Sequence, residues 1–217
     1  MGGILKSTWE MLHDGRFLKK ALMIACPVAL QGMLNTIVNM VDTLMIGGLG
    51  STAIAAVGLA NKVFFVFSLL VFGIVSGGGI LAAQFWGSGD VKNIRKVLGL
   101  CVMLAMVGAM FFVVPALTAP RMVMRIFTTS EGSIELGAKY LRIAALSYPF
   151  IALTNVYVAM LRATNKVVFP VICSCIAIVV NICLNYVLIF GKFGAPTMGV
   201  AGAACATLTA RCIEVTL

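Results

Sequence analysis

Apolar residues gather into six long runs: Leu22–Ile46, Ile54–Trp86, Val97–Thr118, Tyr140–Leu161, Val167–Phe190 and Met198–Leu217. Each matches or exceeds the roughly 20 residues an α-helix needs to cross a bilayer. The pattern predicts an all-α, polytopic membrane protein with transmembrane helices at about 22–46, 54–86, 97–118, 140–161, 167–190 and 198–217. Short turns such as Gly47–Ser51 and Gly191–Pro196 separate several of the runs,. The longer connection Ala119–Lys139 carries Arg121, Arg125, Glu131 and Glu135, and reads as a surface segment with room for a short helix along the membrane. Residues 1–20 mix Trp9, Leu12 and Phe17 with Lys6, Glu10, Asp14 and Arg16, the pattern of a cytoplasmic interfacial segment in which His13 is a surface residue,. Pro27 falls near the start of the first run, where it frees a backbone carbonyl and lets the helix bend,. The glycines of Ser76-Gly77-Gly78-Gly79 would admit a neighbouring backbone or loosen the second helix,.

Composition agrees with the runs. Only 11% of residues are charged and 61% are hydrophobic, against about 25% charged in soluble domains,. The net charge of +9 therefore points to the bilayer rather than to nucleic acid,. One side of the predicted membrane collects Lys6, Arg16, Lys19, Lys20, Lys92, Arg95, Lys96, Arg162, Lys166 and Arg211. The other collects Arg121, Arg125, Lys139 and Lys192, so the N-terminus is expected in the cytoplasm and the protein in the cell (plasma or inner) membrane,. The first run is too long for a signal peptide's apolar region,. Cys26, Cys101, Cys173, Cys175, Cys183, Cys205 and Cys212 lie in or beside the runs without metal-ligand spacing,. Neither an enzyme activity nor a cofactor is expected.

One polar stripe interrupts this pattern. Gln31, Asn35, Asn39 and Asp42 share a sector about 80° wide on the first helix,. Amides alone are common glue between membrane helices. A carboxylate at that depth is expensive and normally faces a bundle interior or a wet cavity. Asp42 is thus a candidate functional group, with Gln31, Asn35 and Asn39 as cavity-lining or supporting residues.

Several stretches resemble the multidrug and toxic-compound extrusion (MATE) transporters. They are Val41-Asp42-Thr43-Leu44-Met45-Ile46-Gly47 with Leu49-Gly50, Ala55-Ala56-Val57-Gly58-Leu59-Ala60, and Ala83-Gln84-Phe85-Trp86-Gly87-Ser88-Gly89-Asp90. Leu161-Arg162-Ala163-Thr164 with Pro170, Asn181 through Gly191, and Gly199 through Thr207 continue the likeness in order over nearly the whole chain. The resemblance implies twelve helices in two six-helix lobes, with this chain similar to the N-terminal lobe. It further implies a drug cavity between the lobes, antiport against H+ or Na+, and a missing C-terminal half as partner beside lipid and small organic cations. A sixth run that reaches Leu217 fits a partial polypeptide. The family's first-helix aspartate takes part in coupling, and Asp42 holds the matching position. Some members carry Asn and then Asp on the fifth helix, where this chain has Asn181 and Asn185. That departure leaves Asp42 as the lobe's only central acid.

The residues support such a site in their own right. Asn181 and Asn185 are four apart and share a helix face,. Added to Asn35, Asn39 and Asp42, they would make a cluster of amide oxygens around one carboxylate, able to hold a monovalent cation or a proton. Asn155 and Thr207 are weaker candidates for the same region. Two other readings compete with efflux. A flippase for lipid-linked saccharides would need basic residues in its cavity, and few lie within the runs, Lys62 and Arg142 being near the outer surface. A non-transporting scaffold would neutralise Asp42 with Lys62, whose depth differs by only about 6 Å.

Overall fold

The computed structural model describes residues 15–194 and 196–217. Within them the chain forms α1 (Gly15–Gly47), α2 (Ser51–Gly87), α3 (Val91–Thr118), α4 (Pro120–Arg125) and α5 (Glu131–Ala144). A 3-10 turn at Ala145–Ser147 leads into α6 (Tyr148–Ala163), followed by α7 (Val168–Phe190), a 3-10 turn at Lys192–Gly194, and α8 (Val200–Thr216). The α2, α3 and α7 helices and the continuous segment Glu131–Ala163 are long and apolar enough to cross a membrane. With the stripe-bearing α1 and the 17-residue α8 they build a six-helix membrane bundle.

Local chemistry sets the element ends. Asp90 caps α3 by accepting from the Asn93 backbone N–H at 3.1 Å, which satisfies one of the donors a helix start leaves free,. Pro120 opens α4, where its missing N–H costs nothing,. Glu131 in the first turn of α5 and Arg142 in its last both complement the helix dipole,. Gly191 ends α7 at φ 65°, ψ 40°, a left-handed conformation that glycine adopts without steric cost,.

Two clusters organise the packing. The larger joins α2, α3, α5 and α6 around Phe67 and Tyr148, whose rings stack with centroids 4.7 Å apart. The smaller joins Ile46, Ala53, Val57, Ile189, Val200 and Ala203 at the end where α1 meets α2. Small residues bring α8 close to α7: a Cβ at Gly202 would lie 2.7 Å from the Leu188 carbonyl oxygen. The α1 helix packs mainly along α7 and only lightly against α2.

Several element boundaries differ from the sequence expectations. Residues 15–20, expected in an interfacial segment, are the first turns of α1, while Trp9 and His13 lie outside the described residues. The segment 119–139 is mostly helical: Ser133, Ile134, Gly137 and Ala138 of α5 are buried while Glu135 and Lys139 face out. Amphipathicity lowered its average hydropathy and hid a packed helix that continues into the fourth apolar run. The 3-10 turn Ala145–Ser147 interrupts that run, and Pro149 follows it in the first turn of α6, where a proline is tolerated,. The glycines after Ser76 do not break α2, which runs for 37 residues, about 55 Å,. Of the three, Gly78 is packed, against Cys101 of α3 and Met160 of α6. The sixth helix begins at Val200, after Gly199 at φ 55°.

Candidate functional site

The fold seats Asp42 about one turn from the end of α1, opposite the buried face of α7. The Asn185 side-chain amide donates to Asp42 Oδ1 at 2.6 Å and to Asn181 Oδ1 at 3.2 Å. Only the amide nitrogen can donate to a carboxylate, which fixes the orientation of the Asn185 side chain. Its carbonyl oxygen is consequently turned away, buried and without a hydrogen-bond partner. A buried acceptor left unpaired costs about 1–3 kcal/mol, so this arrangement is not optimised for stability alone. Asn185 is fully buried, Asn181 nearly so, and Asp42 half-buried.

The Asp42–Lys62 pair that the scaffold reading requires does not form. Lys62 is exposed on α2, and the ion pairs among the described residues are Arg125–Glu131, Glu135–Lys139 and Arg211–Glu214. Asp42 faces α7, whereas Lys62 belongs to a helix that α1 touches only lightly.

The polar stripe divides in three. Gln31 is buried, but it lies eleven residues, about 16 Å, along α1 from Asp42,. Its amide donates to Ser174 Oγ at 2.7 Å, and its carbonyl oxygen accepts from Arg162 Nη2 at 2.6 Å. Asn35 and Asn39, between these two ends, are exposed. Asn155 is exposed on α6. Thr207 of α8 spends its hydroxyl on the Ala203 carbonyl at 3.0 Å within its own helix. The structure thus brings Asp42, Asn181 and Asn185 together and keeps Gln31, Asn35, Asn39, Asn155 and Thr207 out of that contact. Pro27 sits within α1, one turn before Gln31.

The sequence reading made Asp42 the only central acid, and the structure corrects it. Glu214 of α8 lies inside the sixth apolar run, with its side chain only 4% exposed. It accepts from Ser174 Oγ at 2.8 Å and pairs with Arg211. The available signal was the spacing of Arg211 and Glu214, three apart on one helix face,. Arg211 masks that signal, because near the end of the run it reads as an ordinary flanking charge. Ser174, lodged between Cys173 and Cys175, carried no signal of its own.

A protein-family model described as MatE matches residues 27–187, most of the chain. The chain is 33% identical over 195 residues to a probable multidrug resistance protein NorM of Thermotoga maritima, covering 89% of this chain and 42% of that protein. It is 32% identical over 191 residues to a probable multidrug resistance protein YoeA of Bacillus subtilis, covering 84% and 40%. It therefore spans about two fifths of the length of the curated relatives it matches. A solved outward-facing multidrug resistance MATE family transporter of the MOP superfamily shares the fold with a TM-score of 0.82 at 24% identity, over 91% of this chain and 43% of that one. A solved MOP superfamily transporter from Pyrococcus furiosus superposes with the same TM-score and coverage.

Proposed function

The chain belongs to the MatE family, and from that premise we propose that it is the N-terminal six-helix lobe of a twelve-helix secondary transporter. The whole protein exports amphipathic organic cations by antiport against H+ or Na+, with Asp42 as the coupling carboxylate. A second lobe supplies the facing wall of the cavity, and the N-terminus lies in the cytoplasm. The observation that carries this reading is the Asp42–Asn185 contact with its orphaned Asn185 carbonyl oxygen.

The chemistry of the site suits such a role. Its acceptors are all oxygens, from the Asp42 carboxylate and the Asn181 and Asn185 carbonyls, the donor type that hard cations take. The Asn185 oxygen faces away from Asp42 and is held by no protein donor, so rotation of the amide turns it toward the carboxylate as a ligand for an arriving Na+. A proton instead neutralises Asp42 and turns its contact with Asn185 from charge-assisted to neutral, which weakens it. Either event loosens or resets the outer attachment of α1 to α7, and Pro27 lets α1 respond by bending. Exposed Asn35 and Asn39 lie on the same stripe, where they can meet a polar substrate. The flippase reading gains nothing, since Arg211, the basic group within α8, is neutralised by Glu214. Asp42→Asn in the full-length protein keeps shape and hydrogen-bonding capacity while removing the titratable charge. Loss of resistance to organic cations at normal expression is the expected result; full resistance would refute the assignment.

A further inference from the structure

The α1 helix is held to the rest of the lobe by two polar clips, and the proposed function uses only the outer one. The inner clip is a continuous relay across four helices. Arg162 Nη2 of α6 donates to Gln31 Oε1 of α1, and Gln31 Nε2 donates to Ser174 Oγ of α7. Ser174 Oγ donates in turn to Glu214 Oε1 of α8, whose second oxygen accepts from Arg211. Gln31, Ser174 and Glu214 are all buried. Among the described residues, the buried polar side-chain atoms left without a partner belong to Thr154 and Asn185, not to this relay.

We propose that Glu214 is a positioning residue of the transport cycle, fastening the inner half of α1 to the lobe through Ser174 and Gln31. The reading of α1 as a moving element rests on the proposed efflux function; the clip itself rests on the contacts just given. Amides alone would glue these helices together. A carboxylate buried here, beside a part-buried guanidinium, carries a desolvation cost that glue does not require,. What the pair adds is a fixed, charged acceptor: Glu214 orients the Ser174 hydroxyl, and the oriented hydroxyl leaves its lone pair facing the Gln31 amide. Gln31 lies one turn above Pro27, so the clip grips α1 just beside its weak point and about 16 Å from Asp42,. When the outer clip changes, α1 can then pivot about Gln31 instead of detaching.

The test uses the full-length transporter with Cys26 as its single cysteine, carrying a spin label. A label at Leu44→Cys, in a protein without the native cysteines, is the outer-half control. Both native side chains are exposed on α1. Glu214→Gln and Ser174→Ala should each raise the mobile population at Cys26 by at least about threefold, the effect of losing one ordinary hydrogen bond. The label at position 44 should not change. Ser174→Thr, which keeps the hydroxyl, should restore the immobile spectrum. In efflux assays the two disruptive variants should lower kcat while KM stays within about twofold, because the substrate cavity is not altered. Ser174→Ala leaves the Arg211–Glu214 pair intact and carries the test if Glu214→Gln does not fold. Unchanged mobility at Cys26 in a folded variant would overturn the proposal, as would equal loosening at both labels. The mobility readout needs neither substrate nor coupling ion, so it stands or falls separately from the efflux reading.

Discussion

Replacing Asn185 with leucine removes the amide while keeping a side chain of similar size, and the structure allows the consequence to be worked out. The bond to Asp42 at 2.6 Å is charge-assisted and worth about 1.5–3 kcal/mol,. The lower end applies, because half-buried Asp42 can recruit water in its place. The longer bond to Asn181 adds about 0.5–1.5 kcal/mol,. Against these losses, leucine abolishes a buried carbonyl oxygen that has no partner, a relief of about 1–3 kcal/mol,. The net loss is on the order of 1 kcal/mol. If Asn185 were only interhelical glue, with its oxygen paired, the losses would stand without that relief and would reach about 2–3 kcal/mol. Thermal melting of the purified full-length protein in detergent reports the stability, and cation-driven efflux in proteoliposomes reports the function. The expected outcome is a nearly native melting temperature with gradient-driven efflux abolished. A large drop in stability, or native efflux from a folded variant, would refute the reasoning.

Other predictions address packing, topology and the cavity. Gly202→Ala drives a Cβ onto the Leu188 backbone and should cost about 1–3 kcal/mol of overpacking, partly offset by about 1 kcal/mol of helix propensity. Gly73→Ala in α2, with nothing near its Cβ, should melt at or above the native temperature, and equal melting of the two variants would contradict the close α7–α8 approach. In a cysteine-free background, Ser51→Cys should react with an impermeant maleimide added outside and Ser88→Cys should not; the reverse pattern would invert the topology. Asn35→Ala with Asn39→Ala changes exposed positions and should leave melting within about 0.5 kcal/mol of native while raising the KM for efflux; an unchanged KM would remove both amides from the cavity.

The sequence made the helices legible where apolar runs were continuous, as in α2, α3 and α7. It failed at α5, whose buried face of Ser133, Ile134, Gly137 and Ala138 alternates with Glu135 and Lys139, because averaged hydropathy registers composition and not facing. A helical sector reports direction but not depth: Gln31 and Asp42 share a face yet serve different contacts about 16 Å apart,. The meeting of Asp42 with Asn185 required knowing that α1 packs on α7, which no spacing within either helix reveals. The Lys62 alternative looked feasible by depth and failed on facing. Glu214 was readable in principle, since an acid inside an apolar run is costly wherever it falls. What concealed it was a neighbouring arginine, which made the run's end look like ordinary flanking charge.

The central claim is that Asp42 couples an ion gradient to export, as distinct from binding substrate or holding the fold. Purified full-length protein in proteoliposomes, given either a sodium or a proton gradient and a fluorescent organic cation, tests this directly when Asp42→Asn is compared with the native protein. Uphill movement of the cation should disappear in the variant under whichever gradient drives the native protein, while its substrate Kd, measured at equilibrium, stays within about threefold, less than one kcal/mol. Uphill transport that persists in Asp42→Asn would contradict the account.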